Sequence, residues 1–228
     1  KLFQITTLRV DVETDGRHAR VAYTDDCAVD ASRRDFTMNA LYADLDGNVY
    51  DPLGGADDIA ARRVRFIGDA NKRIEEDALR ILRFFRFHAQ IEDGEIDPDG
   101  LAACTDRAGD LANLSGERIR EELFKLLLAA DPATTWQMLL DAQILKIVLP
   151  TLTRRDRLAG LVTVERVVAA ANPVRRLAAL MDGGANVDDI VARLRLSNRD
   201  GQRLRDLKTG AVDINPDLPQ DAWKSRLY

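Results

Sequence analysis

The spacing of apolar residues changes near residue 66, and this change constrains the fold more than any other feature of the chain. Residues 2–66 contain short apolar and β-branched runs separated by turn signals such as Asp15-Gly16 and Asp46-Gly47, which is typical of strands joined in hairpins. From Arg73 almost to the end of the sequence, apolar residues recur at helical spacing. The pattern therefore predicts an α+β chain in which a sheet region precedes a helical region.

Two hairpins are predicted in the first region. One joins residues 3–10 to residues 19–23, and the other joins residues 41–45 to residues 49–50. Between the hairpins, Ser32 is predicted to cap a short helix, because serine is a favoured residue at helix starts.

Helix starts are also marked in the second region. Asp131-Pro132 predicts a capping aspartate followed by proline at the first helical position. Asn172-Pro173 punctuates a later helix in the same way.

The composition narrows the class of protein. The chain is 46% hydrophobic and 31% charged, as in ordinary soluble domains, and no apolar run in the sequence approaches the length of a membrane span. Cys27 and Cys104 predict reduced thiols in a cytoplasmic chain rather than a disulfide framework. A net charge of −5 argues against nucleic-acid binding unless basic residues cluster on one face.

A helix predicted to begin near Arg73 has two distinct faces. Its apolar face consists of Ile74, Ala78, Ile81, Leu82 and Phe85. Its polar face consists of Arg73, Asp77, Arg80 and Arg83. Asp77 and Arg80 are three residues apart and therefore neighbours, and together they offer acceptors and donors that can pair with the Watson–Crick edge of a base. The alternative is an ordinary surface ion pair between them.

The segment at 33–40 reads RRDFTMNA. Its two adjacent arginines can clamp a triphosphate, because guanidinium groups match phosphate oxygens. Asp35 can accept a hydrogen bond from a ribose 2′-hydroxyl, and Asn39, four residues later, can add a polar contact. The alternative is a capped helix with an exposed basic start and Phe36 in the core.

The segment at 51–58 reads DPLGGADD and predicts a tight turn followed by a helix start. Gly54 and Gly55 permit positive φ angles, and Asp57 or Asp58 can cap the helix.

These two segments and RIEEDALRILR at 73–83 resemble, in order and spacing, the nucleotide-binding core of the tRNA nucleotidyltransferase (CCA-adding enzyme) and bacterial poly(A) polymerase family, class II. The resemblance covers roughly residues 3–118 and includes LSGERI at 114–119, which we interpret as a structural helix start. It implies part of a polymerase-β-like nucleotidyltransferase head, a mixed sheet with helices, followed by an all-α neck and body.

The resemblance also implies a domain order and mobile segments. We expect the C-terminal part of the head at 1–66, a helical neck with the base-selecting helix at 67–130, and part of a tRNA-binding body at 131–228. The family pattern implies hinge or flexible-loop positions at Asp15, Gly16, Arg17, Gly54 and Gly55. The alternatives are an ordinary hairpin tip at the first three and a turn with no further role at the two glycines.

The activity implied is template-independent addition of C and A to tRNA 3′ ends from CTP and ATP. The implied nucleotide-binding residues are Arg33, Arg34, Asp35, Asn39, Asp77, Arg80 and Arg83. Within the family's E-D-x-x-R signature, Asp77 and Arg80 would act as a protein template that accepts the base of CTP or ATP and rejects GTP and UTP.

The family's reaction uses two magnesium ions held by an Asp-x-Asp pair, which would precede residue 1. We therefore expect no catalytic carboxylate in this chain, Mg²⁺ ligands mainly outside it, and no activity of the chain alone. Asp11 matches the family's strand and is expected only to support that site. The pairs at 11–13 and 44–46 have the same spacing but are not expected to replace it, and Gln4 stands where relatives often carry glutamate.

Two other functions stay open. A poly(A) polymerase of the same family shares these motifs, and a non-catalytic RNA- or nucleotide-binding module would lack the metal site. The expected partners are tRNA, CTP and ATP, with no membrane and with a homodimer or a complementing chain as further options. Candidate contacts to the tRNA backbone, with solvated helix faces as the alternative, are Arg154, Arg155, Arg175, Arg176, Arg203 and Arg205.

Overall fold

The computed structural model describes residues 7–15, 18–91, 94–168 and 171–210. These residues form an α+β chain in which short antiparallel strands precede the long helical region, as predicted. No helix within these ranges is both long and apolar enough to cross a membrane.

Two hairpins form the β-structure. Strand β1 (Arg9–Asp15) pairs antiparallel with β2 (His18–Tyr23), and β3 (Tyr42–Ala43) pairs with β4 (Val49–Tyr50). The register of the first pair shifts between Asp11 and Glu13, which is the signature of a β-bulge. The second hairpin closes on Gly47, whose φ of 87° favours glycine.

The predicted flexible loop falls mostly outside the described residues. Gly16 and Arg17 lie beyond them, and Asp15 ends β1. The side chains of Asp11 and Asp15 are likewise outside what the structure describes.

Helices lie on both sides of the second hairpin, and after it they follow one another with short connections. In chain order they are α1 (Cys27–Ser32), α2 (Gly55–Ala60), α3 (Ala70–Glu76), α4 (Leu79–Gln90), α5 (Pro98–Asp106), α6 (Gly116–Leu127), α7 (Pro132–Asp141), α8 (Ile144–Val148), α9 (Arg155–Val168), α10 (Pro173–Leu180), α11 (Val187–Leu194) and α12 (Asn198–Gly210). Turns of 3-10 helix span Thr37–Asn39 and Ala108–Asn113. The predicted starts of α7 and α10 are confirmed, since the side chains of Asp131 and Asn172 cap them ahead of Pro132 and Pro173.

The predicted helix cap at Ser32 is wrong. Helix α1 begins after Asp26, whose carboxylate accepts from the backbone N–H of Ala28 at 2.7 Å. Ser32 ends the helix, and its hydroxyl donates to the carbonyl of Val29. The segment from residue 33 cannot continue the helix, because Phe36 is extended and forms an antiparallel bridge with Phe66.

The predicted single helix from Arg73 is also wrong, because α3 and α4 are separate. Asp77 lies between them in an extended conformation, with φ −157° and ψ 103°. Asp77 is the C-cap residue of α3, and its carboxylate accepts from the backbone N–H of Leu79, the first residue of α4, at 3.1 Å. The apolar positions stay in phase across the break, with Ile74 and Ile81 both fully buried.

The predicted caps of α2 are wrong as well. The backbone N–H groups of Gly55 and Ala56 donate to the carboxylate of Asp51, each at 2.8 Å. Gly54 precedes the helix with a φ of 71°. Asp58 lies in the first turn of α2 and is instead fully buried.

One hydrophobic core runs from Phe36 to Leu204 through the described part of the chain. Helix α4 is at its centre and packs against α6 and α7, and Phe84 and Phe85 are fully buried. His88 is buried there too, and this burial lowers the pKa of the imidazole. The core crosses the predicted limits at residues 66 and 130, and the division into three domains stays a prediction.

Candidate functional site

A cleft of about 500 Å³ lies where the segment after α1 meets the starts of α4 and α6. Its lining side chains are Arg33, Arg34, Asp35, Asn39, Asp77, Leu79, Arg80, Arg83, Phe87 and Arg118. All seven residues predicted to bind nucleotide are in this set, although they come from two segments far apart in sequence. Sequence reasoning missed Leu79, Phe87 and Arg118.

The cleft is basic despite the acidic chain. Among the described residues that line it, five arginines and two aspartates give a formal charge of +3. Asp30 and Glu76, which hold three of these arginines from behind, bring the charge of the whole cluster to +1. A nucleoside triphosphate carries more negative charge than either value, so the cleft attracts it without neutralising it.

Arg33 and Arg34 are oriented by a carboxylate that sequence reasoning missed. Asp30, buried in α1, accepts from Arg33 Nη2 at 2.6 Å and from Arg34 Nη2 at 2.9 Å. The hydroxyl of Tyr42 donates to the same carboxylate at 2.8 Å, and the backbone N–H of Arg9 donates at 3.1 Å. Asp30 precedes the two arginines by three and four residues, so the signal was present in the spacing.

The electrostatics of this cluster follow from burial and hydrogen bonding. Burial raises the pKa of Asp30, but the hydrogen bonds from Arg33, Tyr42 and Arg34 outweigh it and hold the pKa well below its usual range. Burial and the hydrogen bond to Asp30 raise the pKa of Tyr42 to about 12. The arginines are therefore held by a permanently ionised carboxylate at neutral pH.

Asp35 has its acceptor positions filled by protein groups. One carboxylate oxygen accepts from the backbone N–H of Phe36 and from Asn39 Nδ2, both at 2.9 Å. The other accepts from Arg83 Nε at 2.6 Å and Nη2 at 2.5 Å. A carboxylate has about four such positions, so a ribose hydroxyl would have to share or displace one of these partners. The contact between Asp35 and a ribose stays a prediction.

Asp77 and Arg80 face the same cleft, but each is held by another partner. Arg80 Nη1 donates to Glu76 Oε2 at 2.5 Å and to the carbonyl of Arg73 at 2.8 Å. Asp77 Oδ2 accepts from Arg118 Nη2 at 2.7 Å. The alternative of an ion pair between Asp77 and Arg80 is therefore wrong, because these partners occupy the two side chains separately.

The far wall of the cleft combines charge with an aromatic surface. The Arg83 guanidinium lies 5.4 Å from the ring centroid of Phe87, and the Arg86 guanidinium lies 3.6 Å from it. Arg86 Nε also donates to the buried carboxylate of Glu122 at 2.5 Å. These contacts join α4 to α6 directly behind the cleft.

The segment 51–58 supports the cleft from below. The buried Asp58 accepts from the hydroxyl of Thr37 at 2.6 Å, from Arg63 Nη2 at 2.6 Å and from Arg65 Nε at 2.8 Å. A side chain at Gly55 would begin 2.2 Å from the carbonyl oxygen of Thr37, so only glycine fits. The hinge role of Gly54 and Gly55 stays a prediction.

The described side chains offer no metal centre. They contain no group of three or more histidine, cysteine, aspartate or glutamate residues that could hold a metal ion. Asp44 of the second acidic pair is engaged in its own turn, where its carboxylate accepts from the backbone N–H groups of Asp46 and Asn48.

Several arginines predicted to contact RNA are engaged within the protein. Arg176 is 4% exposed and bound to Glu165 and to the carbonyls of Leu127 and Ala129, so its prediction is wrong. Arg154 and Arg205 are more exposed, and each forms an ion pair, with Asp156 and Asp188 respectively.

Comparison with known proteins gives a consistent family. Residues 1–65 match the model of the poly A polymerase head domain, and residues 95–155 match that of a probable RNA- and SrmB-binding site of polymerase A. The chain is 40% identical over 201 residues to the mitochondrial CCA tRNA nucleotidyltransferase 1 of Danio rerio, covering 87% of this chain and 46% of that protein. It is 51% identical over 127 residues to the Homo sapiens protein of the same name, covering 55% of this chain and 29% of that protein.

The fold comparison agrees. The crystal structure of the Bacillus stearothermophilus CCA-adding enzyme in complex with CTP superposes with a TM-score of 0.75 at 30% identity, over 92% of this chain and 51% of that one. The chain thus spans less than half the length of the curated relatives named above. On the motifs, the fold and these similarities together, the chain belongs to the family of CCA-adding tRNA nucleotidyltransferases and poly(A) polymerases.

Proposed function

We propose that the protein containing this chain is a template-independent nucleotidyltransferase that adds C and A to tRNA 3′ ends from CTP and ATP, and that the basic cleft binds the incoming nucleotide. The observation that carries this proposal is the meeting of seven residues, from motifs about 40 positions apart, in one cleft. Such convergence of charged and polar groups in a concave site is typical of ligand binding.

The chemistry of base selection fits Asp77 and Arg80. Cytosine presents the N4 amino group as a donor beside the acceptor N3, and adenine presents the N6 amino group beside the acceptor N1. An aspartate that accepts and an arginine that donates match this pair in both bases. Uracil and guanine present the reverse order, a carbonyl beside an N–H group, and would leave both protein groups facing like partners.

The arginines serve the phosphates. Arg33 and Arg34 are fixed by Asp30 and open onto the cleft, and guanidinium groups bind phosphate oxygens in paired geometry. Held in this way, they lose less side-chain entropy on binding than mobile arginines would.

The magnesium requirement and the tRNA contact rest on the family. Metal dependence is general among nucleotidyltransferases, and Mg²⁺ is the ion we propose. The described side chains do not form its site. The match of residues 95–155 to an RNA-binding model supports tRNA as the partner.

The location and assembly of the protein are part of the proposal. The Danio rerio and Homo sapiens relatives are named mitochondrial. Fractionation of the source cells would therefore test a cytoplasmic location of this protein. A homodimer or a complementing chain would be detected by light scattering coupled to gel filtration.

A poly(A) polymerase is the second candidate, favoured by the descriptions of the two matching family models. The two candidates differ in whether CTP is accepted. A CCA-adding enzyme would use CTP and then ATP on tRNA, whereas a poly(A) polymerase would extend RNA with ATP alone.

The decisive experiment is nucleotide incorporation into a tRNA transcript that lacks its CCA end. The chain is compared with a version preceded by a head segment of the family that carries Asp-x-Asp, with CTP, ATP and Mg²⁺ supplied. We expect the longer version to add C and then A. Arg80→Ala in that version should reduce incorporation of both nucleotides at least tenfold, because a buried base edge loses a charged hydrogen bond of about 1.5–3 kcal/mol.

The matched control is Arg107→Ala, which removes an arginine that pairs with Asp110 at the surface away from the cleft. It should leave incorporation unchanged. Addition of A alone would favour the poly(A) polymerase. Binding of tRNA or ATP without any incorporation by the longer version would favour a non-catalytic binding module.

A further inference from the structure

We propose that Arg118 is a positioning residue for base selection, which holds the Asp77 carboxylate in the orientation that reads the base and keeps it apart from Arg80. This inference rests on the proposed function, because it concerns how the same cleft discriminates between nucleotides. Sequence reasoning assigned the segment around Arg118 a structural role only.

Two donors, one on each carboxylate oxygen, hold Asp77. The backbone N–H of Leu79 donates to Oδ1 at 3.1 Å, and Arg118 Nη2 donates to Oδ2 at 2.7 Å. Asp77 has an extended backbone conformation between α3 and α4. The geometry of a regular helix therefore does not set the direction of its side chain. Without Arg118, a single hydrogen bond would hold the carboxylate, and its second oxygen would be free to turn.

Arg80 is an alternative partner for the Asp77 carboxylate. Arg80 follows Asp77 by three residues, its backbone N–H donates to the carbonyl of Asp77 at 3.0 Å, and both side chains line the cleft. An unopposed carboxylate is drawn to such a cation. A direct pair would occupy the acceptor and the donor that the base edge needs, whereas Arg118 on one side and Glu76 on the other keep the two groups apart.

The helix start that carries Arg118 is packed closely against a neighbouring helix. It lies in the first turn of α6, and a side chain at Gly116 would begin 2.1 Å from the carbonyl oxygen of Arg193 at the end of α11. Two further bonds tie these elements together, from Arg120 Nη1 to the carbonyl of Arg195 at 2.5 Å and from Arg193 Nη1 to the carbonyl of Leu114 at 3.2 Å. A guanidinium carried by such a helix start can impose a position on Asp77, rather than follow it.

The chemistry separates positioning from phosphate binding. A residue that positions Asp77 changes the preference for cytosine over uracil and leaves the affinity for a ligand without a base unaltered. A residue that binds phosphate changes all affinities together. Inorganic triphosphate is therefore the ligand that distinguishes the two roles.

The test is calorimetric titration of the purified 228-residue chain with CTP, UTP and inorganic triphosphate. The variants are Arg118→Ala, Arg118→Lys and Asp77→Ala, together with the double variant Arg118→Ala/Asp77→Ala and the surface control Arg107→Ala. We expect Arg118→Ala to lower the ratio of CTP to UTP affinity about tenfold, the effect of one charged hydrogen bond. Inorganic triphosphate affinity should change less than about threefold. Lysine should restore part of the ratio, and the control should match the unaltered chain.

The double variant tests whether Arg118 acts through Asp77. If Arg118 acts through Asp77, removing it in the Asp77→Ala background should change the ratio no further. A retained ratio in Arg118→Ala, an equal loss of all three ligands, or an undiminished effect in the double variant would each overturn the inference. Thermal unfolding of every variant checks that it is folded, and Arg118→Lys provides a conservative variant if alanine is not tolerated.

The outcomes also separate this inference from the function on which it rests. An unaltered chain that binds none of the three ligands would overturn the proposed cleft, and Arg118 would lose its role with it. An unaltered chain that binds CTP and UTP equally would overturn base selection by this cleft. Preference in the unaltered chain that survives Arg118→Ala would overturn only the role of Arg118.

Discussion

At the scale of the residue, the cleft consists of arginines that each face a carboxylate. Asp30 holds two of them, Glu76 holds Arg80 and Asp35 holds Arg83. Long basic side chains lose much rotamer freedom when a ligand orders them. Carboxylates that order these side chains in the free protein reduce the entropy that is lost on binding. The entropy is lost during folding instead, where burial of the core offsets it.

Asp30 is the carboxylate on which this arrangement depends most. We expect Asp30→Asn to lower the free energy of unfolding at pH 7 by about 3 kcal/mol, because it removes the buried charge that pairs with two half-buried arginines. It should also weaken CTP binding, since Arg33 and Arg34 lose their common anchor. Urea unfolding and calorimetric titration measure the two effects.

The same variant has a defined pH dependence. The pKa of Asp30 is lowered in the folded protein, so its stabilisation is complete above its ordinary value of 3.8 and is lost as the pH falls towards the folded value. The difference in stability between the variant and the unaltered chain should therefore shrink below about pH 4. Asp25→Asn, at an exposed aspartate five positions earlier, is the matched control and should change stability by less than about 0.5 kcal/mol. A difference that grows with acidity would contradict the assignment.

The residues of the cleft differ in how far the sequence could reveal them. The adjacent arginines, Asp77 and Arg80 were found because their types and spacing carry chemical meaning and match a family pattern. Arg118 was missed because its contact to Asp77 spans 41 positions, and helical spacing rules reach only three or four. Asp30 was within that reach and went unread.

At the scale of the element, helix starts were predicted well where two signals coincide. An aspartate or asparagine followed by proline marks α7 and α10 without ambiguity. The break between α3 and α4 was missed, because the apolar residues on either side stay in phase and Asp77 was read as a surface residue of one helix. A single aspartate inside a continuing apolar pattern does not show whether it lies at a break between two helices or on the surface of one helix.

The start of α6 offers a sharp test of packing between elements. Gly116→Ala should lower the free energy of unfolding by about 1–3 kcal/mol, because the new methyl group would overlap the carbonyl oxygen of Arg193 and force α6 from α11. The comparison is Gly109→Ala, where the added methyl group meets no atom within 4 Å. It should change stability by less than about 0.5 kcal/mol. Equal stabilities of the two variants in urea unfolding would show that α6 and α11 are not in close contact.

At the scale of the whole molecule, charge and core are arranged independently. The chain carries a net charge of −5, yet basic groups converge in the one cleft formed by the predicted motifs. Net charge therefore does not describe this cleft, because the attraction of phosphate depends on the local field. The core is equally beyond a local reading of the sequence, since it joins Phe36 to residues more than a hundred positions later.

The continuity of this core predicts how the molecule unfolds. Phe84 on α4 and Leu177 on α10 are fully buried in the same cluster, although they belong to different predicted domains. Because a disturbance at either place weakens one shared core, we expect a single cooperative transition. Phe84→Ala should lower the free energy of unfolding by about 3–5 kcal/mol, and Leu177→Ala should lower it by about 2–5 kcal/mol. Leu128→Ala, at a leucine that is 48% exposed, should change it by less than about 0.5 kcal/mol.

Two probes, one that reports the whole molecule and one that reports a single site, decide whether the transition is single. Far-ultraviolet circular dichroism reports all helices, and tryptophan fluorescence in a Trp223→Phe background reports Trp136, which is fully buried and donates to the carbonyl of Leu152 at 3.0 Å. Coincident curves that shift together in both core variants would mean that residues 67–130 and 131–210 fold as one unit. Separate transitions, with each variant shifting only one of them, would mean that the two parts unfold independently. The predicted boundary near residue 130 would then divide the core energetically, although residues on both sides of it belong to one cluster.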